Sequence, residues 1–188
     1  EARQEFGNTV TTSGVVTTTN LASSGQSDFA IQDETAAIII YNGDFDAGLA
    51  MGDLVTVTGE IINYNGKLEI VPGVETDISI ESQGNELPSF QYMTLSGLLT
   101  IPESFESELI KVFGVEIIDG VWPESGNNAN LTISDDEGVT TLTIRVDRHS
   151  DVDDGPQPQG LFNLSGIVSQ YDYTEPQDEG YQIIPRFQ

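Results

Sequence analysis

The chain carries the same ordered set of short motifs twice, and this internal repeat constrains its fold more than any other feature. The first copy contains Ser13-Gly14-Val15, Phe29-Ala30-Ile31-Gln32-Asp33, Val57-Thr58-Gly59 and Leu68-Glu69-Ile70-Val71-Pro72. The second copy contains, in the same order, Phe113-Gly114-Val115, Leu131-Thr132-Ile133-Ser134-Asp135, Leu164-Ser165-Gly166 and Tyr181-Gln182-Ile183-Ile184-Pro185. The extra length of the second copy lies in its polar connections, where insertions cost least. The repeat therefore predicts two small tandem modules of one architecture.

Each copy has the pattern of five short strands. β-Branched residues dominate these segments, and Asn65-Gly66 is a strong turn sequence because both residues tolerate a positive φ. A long connection falls between the third and fourth strands, as in the OB-fold, a five-stranded Greek-key barrel. Glycines inside strands are typical of the bends that a small barrel needs; here they are Gly14, Gly59, Gly114 and Gly166. An immunoglobulin-like sandwich would require about seven strands per domain. We predict an all-β protein of two tandem, five-stranded OB-fold-like Greek-key barrels.

The boundary between the modules is predicted near Pro88, which gives domain 1 at residues 1–88 and domain 2 at residues 89–188. Domain 2 is expected to begin with a short helical segment. Thr94 is suited to cap a helix that runs to Thr100, and Pro102 is suited to the start of a further turn.

The charge balance is extreme, with 31 acidic residues against 6 basic ones and a net charge of −25. Such a surface repels itself unless dissolved ions screen it. Two interpretations remain open: a soluble acidic secreted protein, or a protein adapted to a salty medium. The absence of cysteine excludes disulfides and thiolate chemistry. No apolar stretch approaches the roughly 20 residues of a membrane span. We expect a segment of a larger secreted or surface protein.

Residues 29–40, 51–60 and 64–70 resemble the OB-fold accessory modules of bacterial secreted nucleases and surface proteins. The stretch from Leu95 to Val115 is similar to the segment that leads into a second such module. The matching motifs are strand patterns and glycines, so the resemblance implies the fold. In that family the catalytic residues belong to separate domains, so none is assigned to this chain.

Catalysis by this chain is not expected. Its one histidine, His149, lies beside an acidic loop, and no serine lies in a Gly-x-Ser-x-Gly sequence. Phosphate-binding loops of the Walker type and glycine-rich dinucleotide motifs are also missing. We predict a protein that is not an enzyme and that needs no cofactor, with calcium as the one possible exception.

The calcium prediction rests on Asp147, Asp151, Asp153 and Asp154, which precede Gly155 in one polar loop. Calcium takes six to eight hard oxygen ligands, as closely spaced carboxylates can provide. The spacing is not that of an EF-hand, and a solvated acidic turn is the competing interpretation.

Five aromatic residues are the candidate ligand contacts: Tyr41, Tyr64, Trp122, Tyr171 and Tyr173. They could stack on sugar rings or bases, or anchor a protein partner; packing in the core or at its rim is the alternative. The basic groove that nucleic acids require is missing from the composition. The favoured function is a non-catalytic spacer, or a binding module for an uncharged polymer such as a polysaccharide or for a partner protein. The alternative is a nucleic-acid-binding accessory module of a secreted nuclease.

Overall fold

The computed structural model describes residues 5–150 and 152–186, and its first half is a closed barrel. The strands are β1 (Thr9–Val16), β2 (Ser27–Gln32), β3 (Ala37–Asn42), β4 (Leu54–Tyr64) and β5 (Lys67–Val71). Their order is β1-β2-β3-β5-β4, and β4 also pairs with β1, which closes the sheet on itself. All pairings are antiparallel except β3 with β5. This is the Greek-key order of an OB-fold.

The second half repeats this order. After β6 (Ile78–Ser82) and β7 (Gln91–Met93) come α1 (Leu95–Thr100), a 3₁₀ turn (Pro102–Phe105), β8 (Leu109–Asp119), β9 (Ala129–Ser134), β10 (Leu142–Val146), β11 (Phe162–Gln170) and β12 (Tyr181–Pro185). The barrel runs β8-β9-β10-β12-β11 and is closed by β11 with β8. The predicted fold class is confirmed. Each barrel also gains one strand beyond the predicted five: β6 pairs with β4, and β7 pairs with β8.

Two of the predicted glycines permit a close crossing of strands at matching places in the two barrels. A Cβ atom on Gly59 of β4 would lie 2.6 Å from the carbonyl carbon of Val71 in β5. A Cβ atom on Gly166 of β11 would collide with the carbonyl oxygen of Ile184 in β12. Both barrels therefore need glycine at this corner because the backbones approach too closely for a side chain.

The short helix begins where the sequence indicates. The Thr94 hydroxyl accepts a hydrogen bond from the Gly97 amide at 3.1 Å, which caps α1, and Pro102 opens the 3₁₀ turn. Leu95 and Leu98 point into the core of the second barrel and are fully buried. No helix among residues 5–150 and 152–186 is long and apolar enough to cross a membrane.

A third apolar cluster joins the two barrels. Ala30 and Ile39 of the first barrel pack with Leu109 and Ile167 of the second, and all four are at most 2% exposed. Hydrogen bonds support this contact: the Leu109 amide donates to Gln32 Oε1 at 2.9 Å, and the Leu68 amide donates to Glu106 Oε1 at 2.6 Å. The barrels thus share a buried interface, and the division into domains at residues 1–88 and 89–188 stays a prediction.

Candidate ligand-binding surface

The same outer face of the barrel has opposite environments in the two copies. In the first barrel the outer face of β2, β3 and β5 is the interface, and its side chains include Ala30, Ile39 and Tyr41. Strand register assigns the equivalent positions in the second barrel, because Ala30 pairs with Ile39 as Thr132 pairs with Thr143. Those threonines lie on a face that is not covered by the other barrel. Any ligand that uses this OB-fold face has access to it in the second barrel.

The outer face of the second barrel forms a groove of about 780 Å³. Its floor carries the threonine hydroxyls of Thr132 in β9, Thr143 in β10 and Thr141, which directly precedes β10. One wall is the segment 99–104, which follows the start of α1, and the other is the segment 178–181, which leads into β12. We call this feature the threonine groove. Its floor offers donors and acceptors that carry no charge.

The walls of the threonine groove are acidic. Glu103 stands on one side and accepts a hydrogen bond from the Tyr181 hydroxyl, while Asp178 and Glu179 stand on the other. Carboxylates facing one another repel a phosphate and attract a cation. The groove therefore suits an uncharged polyol or a cationic group better than the backbone of a nucleic acid.

The loops that join the last two strands of each barrel contact one another. The Asp172 amide, in the β11–β12 loop, donates to the Asn65 carbonyl in the β4–β5 turn at 2.7 Å. The side chain of Asn63 donates to Gln177 Oε1 at 2.9 Å. These bonds hold the two loops together at one edge of the molecule.

This edge presents three of the five predicted aromatic residues. Tyr64 is 52% exposed, Tyr171 is 55% exposed and Tyr173 is 80% exposed. We call these residues the tyrosine edge. Because the β11–β12 loop that carries two of them also supplies one wall of the threonine groove, the two features are neighbours. A tyrosine ring that is exposed to water gains little stability from packing. Such exposed rings are typical of surfaces that contact a ligand or a partner protein.

The other two predicted aromatic residues lie elsewhere. Tyr41 is half-buried and packs against the cluster between the barrels. Trp122 packs against the core of the second barrel, and its indole nitrogen donates to the Gly155 carbonyl at 2.9 Å. It also borders a pocket of about 260 Å³ whose walls include Pro156 and Pro158. The structure thus gives both side chains packing contacts and does not bring them to the tyrosine edge.

A buried ionic cluster lies on the covered face of the first barrel. The Lys67 ammonium is 3.0 Å from Glu69 Oε1 and 3.3 Å from Asp28 Oδ2. Burial raises the pKa of both carboxyl groups, and the attraction of Lys67 only partly offsets this. Burial also acts to lower the pKa of Lys67, but the two carboxylates outweigh it and the pKa is raised. Lys67 offsets part of the carboxylate charge at the interface, and it is not available to a ligand.

His149 is engaged in a local network. Its Nδ1 is 3.0 Å from Asp147 Oδ1, and Arg148 Nε donates to its Nε2 at 3.4 Å. The neighbouring Ser150 hydroxyl donates to the Asp147 carbonyl instead of to the imidazole. This arrangement orients the side chains of the loop and does not pair the imidazole with a hydroxyl nucleophile.

The predicted calcium ligands are partly engaged with protein donors. Asp153 Oδ2 accepts from the Gly126 amide at 2.7 Å, and Asp154 Oδ1 accepts from the Ser125 hydroxyl. Asp151 lies outside the described residues. Within the part of the chain that the structure describes, no group of three acidic or histidine side chains is placed to hold a metal ion. The calcium site stays a prediction.

Sequence reasoning missed the threonine groove, although a pattern indicates it. Leu142-Thr143-Ile144-Arg145-Val146 alternates apolar and polar residues, which is typical of a strand with one open face. The first barrel has Ala36-Ala37-Ile38-Ile39-Ile40 at the same place, a continuous apolar run that is typical of a strand covered on both faces. The sequence of the third strand therefore indicates that the outer face is covered in the first barrel and open in the second.

Comparisons with known proteins give one relative of note. The chain is 29% identical over 193 residues to Endonuclease YhcR of Bacillus subtilis (strain 168), a match that covers 99% of this chain and 15% of that protein. The chain thus corresponds to a small part of the relative's length. No family model matches the chain.

Solved structures with some likeness include the p204 HINb domain, at 12% identity and a TM-score of 0.41, covering 93% of this chain and 92% of that one. Another is a murine DNA-binding protein bound to double-stranded DNA, at 10% identity and a TM-score of 0.38, covering 93% of each chain. TM-scores this low do not bear on the fold or the function of this chain.

Proposed function

We propose that this chain is a non-catalytic accessory module of a larger, secreted nuclease-like protein, and that its tyrosine edge holds a single strand of nucleic acid for that protein. The observation that carries the proposal is the exposure of Tyr64, Tyr171 and Tyr173 on two loops that contact each other. The similarity to a short part of an endonuclease supports the choice of ligand.

Stacking is the interaction that this surface can supply. Exposed aromatic rings bind unpaired bases by π-contact, worth about 1–3 kcal/mol per base and nearly independent of sequence. Bases inside a duplex are already stacked, so the tyrosine edge selects a single strand. The module contributes affinity and position, and the bond cleavage belongs to another part of the larger protein.

Salt should affect this binding in an unusual direction. Ordinary nucleic-acid-binding proteins lose affinity as salt rises, because they release counterions from the phosphates. Here the net charge of −25 repels the phosphates, and dissolved ions weaken that repulsion. Stacking itself is insensitive to ions. We therefore expect the affinity to stay level or to increase with salt.

The test is a titration of the purified chain with a fluorescently labelled single-stranded oligonucleotide at about 0.1 M and about 1 M NaCl, conditions with screening lengths of about 10 Å and about 3 Å. We expect measurable binding that is at least as strong at the higher salt, and weaker binding of the same sequence as a duplex. Absence of binding at both salt concentrations contradicts the proposal. A steep loss of affinity with salt contradicts the stacking mechanism.

The threonine groove favours a second function, the binding of an uncharged polymer such as a polysaccharide. Its hydroxyl floor fits the hydroxyls of a sugar, and its acidic walls do not repel an uncharged chain. Thr143→Val removes one hydroxyl at nearly constant volume. It should weaken the binding of a polysaccharide and leave the binding of an oligonucleotide unchanged. If neither polymer binds, the remaining function is that of a spacer or of a seat for a partner protein.

The calcium hypothesis is tested on the same chain. Calorimetric titration with calcium should give a saturable signal that Asp153→Asn reduces. A flat titration leaves a solvated acidic turn as the explanation of the cluster of Asp147, Asp151, Asp153 and Asp154.

A further inference from the structure

A second exposed aromatic surface lies on the outer wall of the second barrel, apart from the tyrosine edge. The rings of Tyr92 in β7 and Phe113 in β8 stack with centroids 5.6 Å apart and planes inclined by 8°. Tyr92 is 67% exposed and Phe113 is 54% exposed. We call the pair, together with Lys111, the aromatic-lysine patch. This wall is thus apolar without being buried, which is unusual for side chains of this size.

Lys111 completes the patch. Its ammonium lies 5.8 Å from the centroid of Phe113 and 5.8 Å from that of Phe90, within the range of a cation–π contact. The other lysine of the chain, Lys67, is held by two carboxylates at the interface. Within the described residues, Lys111 makes no ion pair with a carboxylate. Its charge is therefore available to an anionic group of a ligand.

Uncharged residues of β11 lie beside Lys111 and Gly114, although the protein is strongly acidic. Register pairs Lys111 with Ser165 on β11, and the side chain of Asn163 lies beside the Gly114 amide. The nearby carboxyl group of Glu108 is buried and accepts a hydrogen bond from Gln91. Burial, and then the charge of Asp33, raise the pKa of Glu108 and so favour its neutral form. The local field is thus more favourable to an anion than the net charge suggests.

We propose that the aromatic-lysine patch is a nucleotide-binding subsite, in which a base of a single nucleic-acid strand stacks on Tyr92 and an adjoining phosphate contacts Lys111. This inference rests on the proposed function, and it adds a site on a different wall of the same barrel. The strand β7 that carries Tyr92 lies at the edge of the sheet, so the open side of the ring faces no further strand.

Charge complementarity selects this occupant. A sugar ring or an apolar protein surface would use the rings but would leave the lysine without a role. A nucleotide uses both, because it joins a planar ring to a phosphate at a distance of a few ångströms. Phosphate binding by a compact ammonium needs no fixed geometry.

The experiment is photocrosslinking of the full chain to a single-stranded oligonucleotide that contains 5-iodouracil, at about 1 M NaCl, where screening lengths are about 3 Å. Mass spectrometry of the peptides then locates the adducts. We expect an adduct at Tyr92 or Phe113. The double variant Tyr92→Ala, Phe113→Ala should lower affinity about tenfold, as loss of one stacked base predicts. Tyr92→Phe should retain affinity. Lys111→Gln should lower the affinity at about 0.1 M NaCl, where the contact with phosphate is less screened, and Lys111→Arg should keep it.

Val139→Ala is the control, because Val139 is an exposed apolar residue in the β9–β10 connection. This variant should change neither the affinity for the oligonucleotide nor the positions of the adducts. Adducts confined to Tyr64, Tyr171 or Tyr173 overturn the patch and preserve the proposed function. Adducts confined to the patch support it and overturn the tyrosine edge. Absence of all adducts overturns both. If sedimentation shows a dimer that the double variant dissociates, the occupant is a second copy of the chain and the proposal is wrong.

Discussion

The two barrels use one face for opposite purposes. The outer face of β2, β3 and β5 is apolar and packs against the second barrel, whereas the same face of β9, β10 and β12 is polar and forms the floor of the threonine groove. Register aligns Ile39 with Thr143, since these residues pair with Glu69 and Gln182 respectively. The repeated fold places equivalent residues on the same face of each barrel. Apolar side chains make that face pack against the other barrel, and polar side chains leave it open to a ligand.

The comparison also explains why the lysines differ. Lys67 lies on the covered face and partly offsets the charge of two carboxylates that the interface would otherwise bury alone. Lys111 lies beyond the edge of that interface and contacts aromatic rings. One lysine therefore serves the assembly of the barrels and the other belongs to the exposed surface.

The largest expected effect is the loss of the buried cation. Lys67→Ala leaves Asp28 and Glu69 without compensation, and breaking a buried pair in this way costs about 3–5 kcal/mol of unfolding free energy. Lys111→Ala is the matched control and should change stability by about 0.5 kcal/mol or less. Urea unfolding measures both. Equal losses of stability in the two variants would contradict the conclusion that Lys67 compensates buried carboxylates.

The next effect comes from exchanging the equivalent residues. Ile39→Thr removes apolar contacts and puts a hydroxyl into the shared core, so it should cost about 3 kcal/mol. The reciprocal change Thr143→Ile lies on the open face and should alter stability by about 0.5 kcal/mol or less. Thermal unfolding of both variants checks this. A similar loss in both would contradict the assignment of one open and one closed face.

A smaller effect concerns ligand binding at the tyrosine edge. Tyr173→Ala should weaken binding of a single-stranded oligonucleotide by about 1–3 kcal/mol, because one stacked base loses its ring. Tyr41→Phe is the control on the covered face and should leave the affinity unchanged. Fluorescence anisotropy at high salt gives the two dissociation constants. Loss of affinity in Tyr41→Phe alone would indicate that the ligand binds near the interface between the barrels and not at the tyrosine edge.

The dependence of stability on pH separates the buried face from an exposed turn. An acid with a raised folded pKa binds its proton more tightly when folded, so its contribution is complete below its unfolded pKa and is lost as pH rises through the folded pKa. For Asp28 this decline begins near the ordinary value of 3.8 and continues upward, so Asp28→Asn should flatten it.

Asp136 provides the opposite case. Hydrogen bonds from Thr140 lower its pKa, so its contribution is present above 3.8 and is lost as pH falls through the folded pKa. Asp136→Asn should therefore flatten the profile only on the acid side. Urea midpoints measured across pH 2–7 at constant salt would distinguish the two variants. Identical profiles would contradict the difference in burial.

Salt should raise the stability of the whole chain. The net charge of −25 opposes folding, and screening reduces this repulsion, so the melting temperature should increase between about 0.1 M and about 1 M NaCl. Sodium chloride and potassium chloride should act alike if screening is the cause. A flat response would remove the interpretation that the protein is adapted to a salty medium.

Much of the architecture was predictable because it depends on local patterns. The repeat located both barrels, the glycines at Gly59 and Gly166 marked their corners, and Thr94 marked the start of α1. Strands β6 and β7 were harder. They are short, largely exposed and held by pairing with a neighbour, so their own residues carry little periodicity.

The candidate site was predictable only in part. Exposed loop tyrosines were identified as ligand contacts, but their grouping depends on a hydrogen bond between Asn65 and Asp172, which are far apart in sequence. Tyr41 has the same residue type and packs at the interface instead. Residue type therefore identifies candidate ligand contacts. Only the packing of distant segments determines which of these candidates are exposed together on one surface.

The sequence by itself determined two closed barrels and a strongly acidic surface, because strand periodicity, turn residues and charge are local or additive properties. The tertiary structure alone decided what covers the outer face of the first barrel, that Tyr64 joins Tyr171 and Tyr173 at one edge, and that Tyr92, Lys111 and Phe113 share one wall. These features depend on contacts between residues distant in the chain. Such contacts are fixed by burial of apolar area and by register, which no short window of sequence contains.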